Sequence, residues 1–491
     1  MAHLEELSNS NKFLNIKNEE YTILINNLKL TSYKMTKSTK KLEEKKVHSR
    51  LGHFLYSLGA VPSALPYNMI GSWLLVFYTL PMQGRLSLVE FGILFMIYGI
   101  WNAINDPLIG FYMDKLKPKK GRRVPWIIYG TIPMTLGFIG LWWIPFNEKG
   151  LVFLYGLIML FIFDTGFTIN ITAWSALYTE MYEDENERST VVAIKDSIAF
   201  LSSMIGVIIP SMIAAALGSW AIAGLIMGLT IPITMYLSLL GTKERKEFQI
   251  DEPLPLIKAL IKSVSNKPFA IGSITYALID FCFGFTMMIL PLYAKFILHI
   301  EEGMEGFAMI GVALGIICAV PLWWRIYSKK GPKFGLTLSM IVFCVGMVPL
   351  FLAEDFVSLT IIGLFPGVGI SGVLMTEPVI SAAIDYDEIK TGKRREATYG
   401  GIGAFIARLS MILSAFALII VQLISGFSPN SETQTLEALI GLRFSMSIVP
   451  AIGLLLALIT FKFYPLNLAK FNDQQEKLKE LHQIRLDKLK K

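Results

Sequence analysis

Trp101-Asn102-Ala103-Ile104-Asn105-Asp106-Pro107-Leu108-Ile109-Gly110 sets two amides and a carboxylate inside an otherwise apolar run. An ionisable group surrounded by hydrocarbon is costly and marks a functional position by default. Asn102 and Asp106 are four residues apart, and Asn102 and Asn105 three apart, so on a helix the three oxygen-bearing side chains share one face. Such a face can hold a small cation, and the rest of the chain reads as the scaffold around it.

Outward from this stretch the chain stays apolar. Of 491 residues, 53% are hydrophobic and 17% charged, with a mean hydropathy of +0.54, which is too apolar for a soluble protein. From Leu51 onward, apolar runs of about twenty residues recur, each long enough to cross a bilayer core of about 30 Å as a helix. About twelve are found, at 51–79, 88–113, 125–145, 151–177, 191–216, 219–240, 269–298, 305–325, 334–353, 356–381, 398–425 and 441–464. The expected fold class is therefore an all-α membrane protein with twelve transmembrane helices, and the lipid bilayer is its first partner.

The net charge of +7 does not point to nucleic acid, because the basic residues form short clusters between apolar runs. Alternate loops carry Lys115 to Arg123, Lys243 to Lys246, Arg325 to Lys333 and Lys390 to Arg395, whereas the intervening loops offer little beyond Arg85 and Lys149. The positive-inside rule then places both termini in the cytoplasm, and the plasma membrane is the expected location. Residues 1–50 form a polar cytosolic tail with no signal-peptide core. The chain divides into an N-terminal six-helix bundle (51–240), a cytosolic linker with a short surface helix (241–268), a C-terminal bundle (269–464) and an amphipathic cytosolic tail (465–491). In that tail Leu478, Leu481, Ile484 and Leu489 lie close to one helical face, which is expected to rest on the membrane or on the basic loops. The connections after the second and eighth runs echo each other, Gly110 to Arg123 against Arg325 to Lys333, and a doubled six-helix unit is a transporter signature.

Enzymatic chemistry finds no support. No G-x-x-x-x-G-K-[ST] phosphate cradle occurs, and Gly367-Val368-Gly369-Ile370-Ser371-Gly372 lies inside an apolar run rather than after a strand, so close helix packing explains it. His3, His48, His53, His299 and His482 have no metal-ligand spacing, and Cys282, Cys318 and Cys344 read as packing residues. No cofactor is expected beyond a coupling ion.

Asn102 to Gly110 and the basic loop beyond it resemble the major facilitator superfamily, in which G-x-x-x-D-[RK] followed by G-R-R marks the turn after the second helix. Trp174-Ser175-Ala176-Leu177 with Asp184 to Arg188, Asp385-Tyr386-Asp387-Glu388-Ile389-Lys390-Thr391-Gly392-Lys393-Arg394-Arg395-Glu396, and Phe405-Ile406-Ala407-Arg408-Leu409 narrow the resemblance to its glycoside-pentoside-hexuronide:cation symporters, the melibiose-permease type. The likeness runs over about residues 51–465. It implies two pseudo-symmetric six-helix bundles and alternating access.

The resemblance implies a coupling-cation site at Asn102, Asn105 and Asp106. Sodium-using members usually carry a carboxylate where this chain has Asn102. Asp106 then binds a proton or Na⁺, with the balance toward protons; the bland reading makes it interhelical glue. Sugar recognition falls on Trp174, whose ring would stack on a pyranose, with Tyr67, Asn68, Asn170 and Thr172 as neutral hydroxyl partners or as packing residues. The family's sugar-binding carboxylates fall near Ala64 and Asn170, and such a neutral pocket also suits an amphipath. Arg408 is expected to pair with Asp106 or an anionic substrate group, Lys195 and Asp196 to neutralise each other, and Asp164, Asp280 and Glu377 to relay protons or bond between helices. Asp114, Arg122, Arg123, Asp385, Arg394 and Arg395 read as gate residues, while Ala382 replaces the first acidic residue of its loop motif. The leading function is H⁺- or Na⁺-coupled symport of a sugar or glycoside by a monomer. A lysolipid or other amphipath is the alternative within transport, and a non-transporting sensor the alternative outside it.

Overall fold

The computed structural model describes residues 49–79, 86–115, 123–182, 185–242, 265–391, 396–431 and 433–490. Among them are 12 helices long and apolar enough to cross a membrane. Spans one to six are Arg50–Thr79, Leu88–Gly110, Val124–Leu141, Lys149–Tyr178, Glu187–Leu217 and Trp220–Leu240. Spans seven to twelve are Lys267–Phe296, Glu305–Lys330, Pro332–Leu352, Phe356–Thr391, Tyr399–Ser425 and Leu436–Lys462. The expected spans are thus all present. The expected N-terminal tail and the linker's surface helix fall almost wholly outside the described residues.

The pairing of spans repeats. Spans one and five, one and six, two and four, three and four, three and six, and five and six pack together, and each pairing recurs six spans later. Small residues make these contacts close. A Cβ on Gly206 would stand 2.5 Å from the carbonyl oxygen of Leu65, and one on Gly166 would stand 2.2 Å from the backbone nitrogen of Met134. The G-x-G-x-x-G run follows the same rule. A Cβ on Gly367 would lie 2.3 Å from the Val312 oxygen, and one on Gly369 would lie 2.3 Å from the Phe343 nitrogen. Lipid supplies no hydrophobic drive between helices, so backbone approach and van der Waals contact do that work.

The two halves meet along spans two and eleven and spans one and seven. At one end, the Gln422 Oε1 accepts from the Val89 N–H at 2.6 Å and the Asn430 side chain donates to the Leu86 oxygen at 3.3 Å. Ser211 also donates to the Gly303 oxygen at 3.3 Å there, drawing span five onto the start of span eight.

Span ten runs ten residues beyond its expected end and is broken. Its first helix, Phe356–Val373, stops in a turn, and a second, Glu377–Thr391, follows. The C-terminal helix Leu468–Lys490 docks on that second piece. Gln474 donates to the Ala382 oxygen at 2.6 Å and Gln475 to Asp385 Oδ2 at 3.3 Å, with Leu478 buried. Residues 471, 474, 475 and 478 follow an i, i+3, i+4, i+7 pattern, so the inward face combines two amides with Phe471 and Leu478. The described part of the tail rests on span ten, and at its start Leu468 lies against Gly331 of the basic connection after span eight, while the side chains of Ile484 and Leu489 lie outside the described residues.

Candidate functional site

Pro107 lies within the helix Leu88–Lys115 and cannot donate to the carbonyl one turn back, at Ala103. Around this weakened turn the polar face of span two meets spans four and eleven. Asp106 Oδ1 accepts from Thr168 Oγ1 at 2.8 Å, and Asp106 Oδ2 pairs with Arg408 Nε at 3.2 Å. Arg408 extends to Tyr67 of span one, 3.5 Å from its hydroxyl and 6.0 Å from its ring centroid. The expected Asp106–Arg408 pair is formed, and it joins the two halves.

The amides serve a second carboxylate. Asn105 donates to Asp164 Oδ2 at 2.9 Å and to Thr168 at 3.2 Å, while the Tyr98 hydroxyl is 3.3 Å from Asp164 Oδ1. Asn102 points its nitrogen to the Tyr98 oxygen at 3.4 Å and the Met411 sulfur at 3.6 Å. Its Oδ1 is buried without a hydrogen-bond partner, an uncommon state for an amide oxygen. Asp164 is only 2% exposed. The unit is thus Asp106, Asp164 and Arg408 tied by Thr168, Asn105 and Tyr98. Asp164 bonds between helices, one of its two expected roles; the bridging Thr168 is not among the expected residues, although a carboxylate and a hydroxyl at i and i+4 in an apolar run are a visible signal.

Beside this unit lies a cavity of about 360 Å³. Tyr67 and Asn68 line it as expected, with Asn68 donating to Ser203 at 3.1 Å. Most of the wall is apolar: Met204, Met287, Met288, Met309, Met411, Phe95, Phe200 and Phe283 contribute, with Asp280, Ser410 and Ser414 among the polar groups. Ser410 donates to Asp280 Oδ2 at 2.6 Å.

Two expected sugar ligands stand elsewhere. Trp174 is 4% exposed, stacks on Tyr56 with centroids 5.2 Å apart, and receives the Tyr56 hydroxyl on its backbone oxygen. Gly59 makes room for it, because a Cβ there would stand 2.3 Å from the indole nitrogen. Asn170 is fully buried and donates to Thr131 at 2.6 Å and to the Ile127 oxygen at 2.9 Å, fastening span four to span three. Neither side chain lines the cavity. Packing, the alternative reading of Asn170, accounts for its bonds, and Trp174, expected to stack on a sugar, packs on Tyr56 instead.

Of the remaining charges, Lys195 and Asp196 pair at 3.5 Å and Glu377 is exposed at the start of span ten's second helix. Arg123 precedes span three, and Asp385 is buried beneath the C-terminal helix. Arg122, Arg394, Arg395 and the side chain of Asp114 lie outside the described residues.

Residues 55–468 match the family described as MFS/sugar transport protein. Among curated relatives, the uncharacterized symporter YnaJ of Bacillus subtilis (strain 168) is 24% identical, covering 88% of this chain and 95% of its own. The sodium-dependent lysophosphatidylcholine symporter 1 of Gallus gallus is 23% identical, covering 87% and 89%. Among solved structures, a bacterial homolog to the human lysosomal transporter Spinster, in an inward-facing and occupied conformation, matches with a TM-score of 0.62 at 13% identity, over 86% of this chain and 97% of that one. The repeated span pairing agrees with that architecture. The chain belongs to the MFS/sugar transport protein family of integral membrane transporters, within the major facilitator superfamily, and is not an enzyme.

Proposed function

We propose that the protein is a secondary symporter that moves an amphipathic organic solute together with one cation, H⁺ or Na⁺, by alternating access. The observation that carries this reading is the cavity, whose methionine and phenylalanine wall adjoins the Asp106–Asp164–Arg408 unit. With both carboxylates ionised the unit is one positive charge short, and the entering cation balances it. Arg408 already lies on Asp106, so cation entry weakens the Arg408 contact and loosens span eleven from span two. Cation binding and the arrangement of the halves are thereby linked, and the linkage is reciprocal. The unpartnered Oδ1 of Asn102 offers one neutral oxygen ligand to Na⁺, whereas a proton needs none.

The lysolipid symporter among the relatives supports the amphipathic class, and the family's description supports a sugar or glycoside as a second reading. The wall favours the first, because it is mostly apolar and neither Trp174 nor Asn170 lines it. Both termini lie on the cytoplasmic side in this reading, and the protein works as a monomer in the plasma membrane. The test is counterflow of radiolabelled lysolipids and sugars in proteoliposomes at varied pH and Na⁺. Lysolipid counterflow that depends on one of the two ions and disappears in Asp106→Ala is expected. Counterflow of sugars alone would move the substrate to the second reading, and indifference to both ions would defeat coupling.

A further inference from the structure

The cavity holds a carboxylate that the cation-linked unit does not use. Asp280, on span seven, lines the cavity, receives Ser410 at 2.6 Å, and has no cation within salt-bridge distance among the described residues. With it ionised, the charges around the cavity do not close. Asp106, Asp164 and Asp280 face a single guanidinium, Arg408, and one coupling cation leaves one negative charge uncompensated. A carboxylate in low dielectric calls for a positive partner, and Arg408, the cation that acts on it, is already paired with Asp106.

The space beside Asp280 is also open. Gly284 is one helical turn along the same face of span seven, and Gly71 reaches the cavity from span one; a Cβ at either would meet nothing within 4 Å. These glycines are therefore not required by helix packing, and their missing side chains leave room for a ligand. Phe283 and Met287 flank the gap and offer an aromatic ring and a polarizable thioether, surfaces that accept the face of an organic cation.

We propose that Asp280 is the seat of a cationic head group, a quaternary ammonium or amine, on the transported solute, with Gly284 and Gly71 providing the space for that group. This rests on the amphipathic reading of the cavity, and the two are separable by probes that share a tail and differ in head. Binding of hexyltrimethylammonium, hexyl sulfonate and hexyl glucoside to the full chain in nanodiscs is measured calorimetrically. The ammonium probe is expected to bind tightest, and Asp280→Asn, which keeps an oxygen for Ser410, to weaken it by about ten-fold or more while leaving the glucoside within about two-fold. Asp280→Glu should retain the ammonium preference. Gly284→Leu, filling open space rather than a packed contact, should exclude all three probes with the thermal unfolding midpoint unchanged.

Equal binding of the three probes, or ammonium binding indifferent to Asp280→Asn, overturns the assignment of Asp280 and leaves the amphipathic cavity standing. Preference for the glucoside, lost in Asp280→Asn, reassigns the carboxylate to hydroxyl recognition and overturns the cationic seat. Failure of all three to bind overturns both.

Discussion

Asp106 and Arg408 are partly exposed, with 21% and 23% of their side-chain surfaces accessible, so their attraction is screened and the pair is worth less than a dry one. A double-mutant cycle with Asp106→Asn and Arg408→Gln should give a coupling of about 1–2 kcal/mol in thermal unfolding, and the double variant should be more stable than Arg408→Gln alone. Additive single effects would mean the pair does not hold the halves together. Trp174 separates packing from recognition. Trp174→Phe should keep uptake and KM near wild type, and Trp174→Ala should lose about 3 kcal/mol of stability through the cavity left against Tyr56. A large rise in KM in a well-folded Trp174→Phe would return the indole to the substrate. The sequence made Asp106 legible because a carboxylate in hydrocarbon announces itself. It left Asn170 ambiguous and pointed Trp174 at a sugar, because buried amides and indoles satisfy their polar atoms on neighbouring helices in the same way that they would on a ligand.

At the scale of elements, spans eight and ten are joined through glycine. Gly311→Val would bring a Cβ to 2.1 Å from the Thr360 oxygen, and it should destabilise the protein by about 3 kcal/mol or prevent its insertion as a folded chain. Gly71→Ala, at an open position, should leave the unfolding midpoint unchanged and serves as the control. The start of span ten carries a pH dependence. Asp355 caps it, accepting from the Ser358 N–H at 2.7 Å, while the Ser358 hydroxyl returns to the Asp355 N–H at 3.1 Å. These bonds from the Ser358 backbone and hydroxyl hold the Asp355 carboxyl below the ordinary carboxylate range. A lowered folded value means that the stabilisation is present above the unfolded carboxylate range and is lost as pH falls through the folded value. The difference in unfolding midpoint between wild type and Asp355→Ala should accordingly be constant near neutrality and shrink in acid. Span positions were readable from hydropathy, since length and apolarity suffice to define a crossing. The break in span ten was not readable from hydropathy, which does not register a turn inside an apolar run, although Pro378 in the first turn of the second helix marks it.

Across the whole molecule, the hydrogen bonds of Gln422 to Val89 and Asn430 to Leu86 fasten one end of the junction between the halves. Removing both, as Gln422→Ala with Asn430→Ala, should shift the population toward the arrangement open at that end. In a background lacking Cys282, Cys318 and Cys344, a Ser72→Cys reporter in the cavity should then react several-fold faster with an impermeant thiol reagent applied from that side. An unchanged rate would show that these bonds do not control access. The doubled six-span plan was readable from the echo between two loops, but the closure of one end was not. Closure depends on side chains more than 300 residues apart in sequence, whose pairing no local pattern encodes.

The turn that divides span ten gives the last residue of the cavity floor an unusual position. Leu374 lines the cavity and is also the first residue of the turn, while the segment beyond it carries the docked C-terminal helix. Span ten is two helices joined by a turn, and the first residue of that turn is part of the cavity wall. Were the docking of the tail to shift the second helix, the cavity wall at Leu374 would shift with it, and by reciprocity filling the cavity would bias that docking.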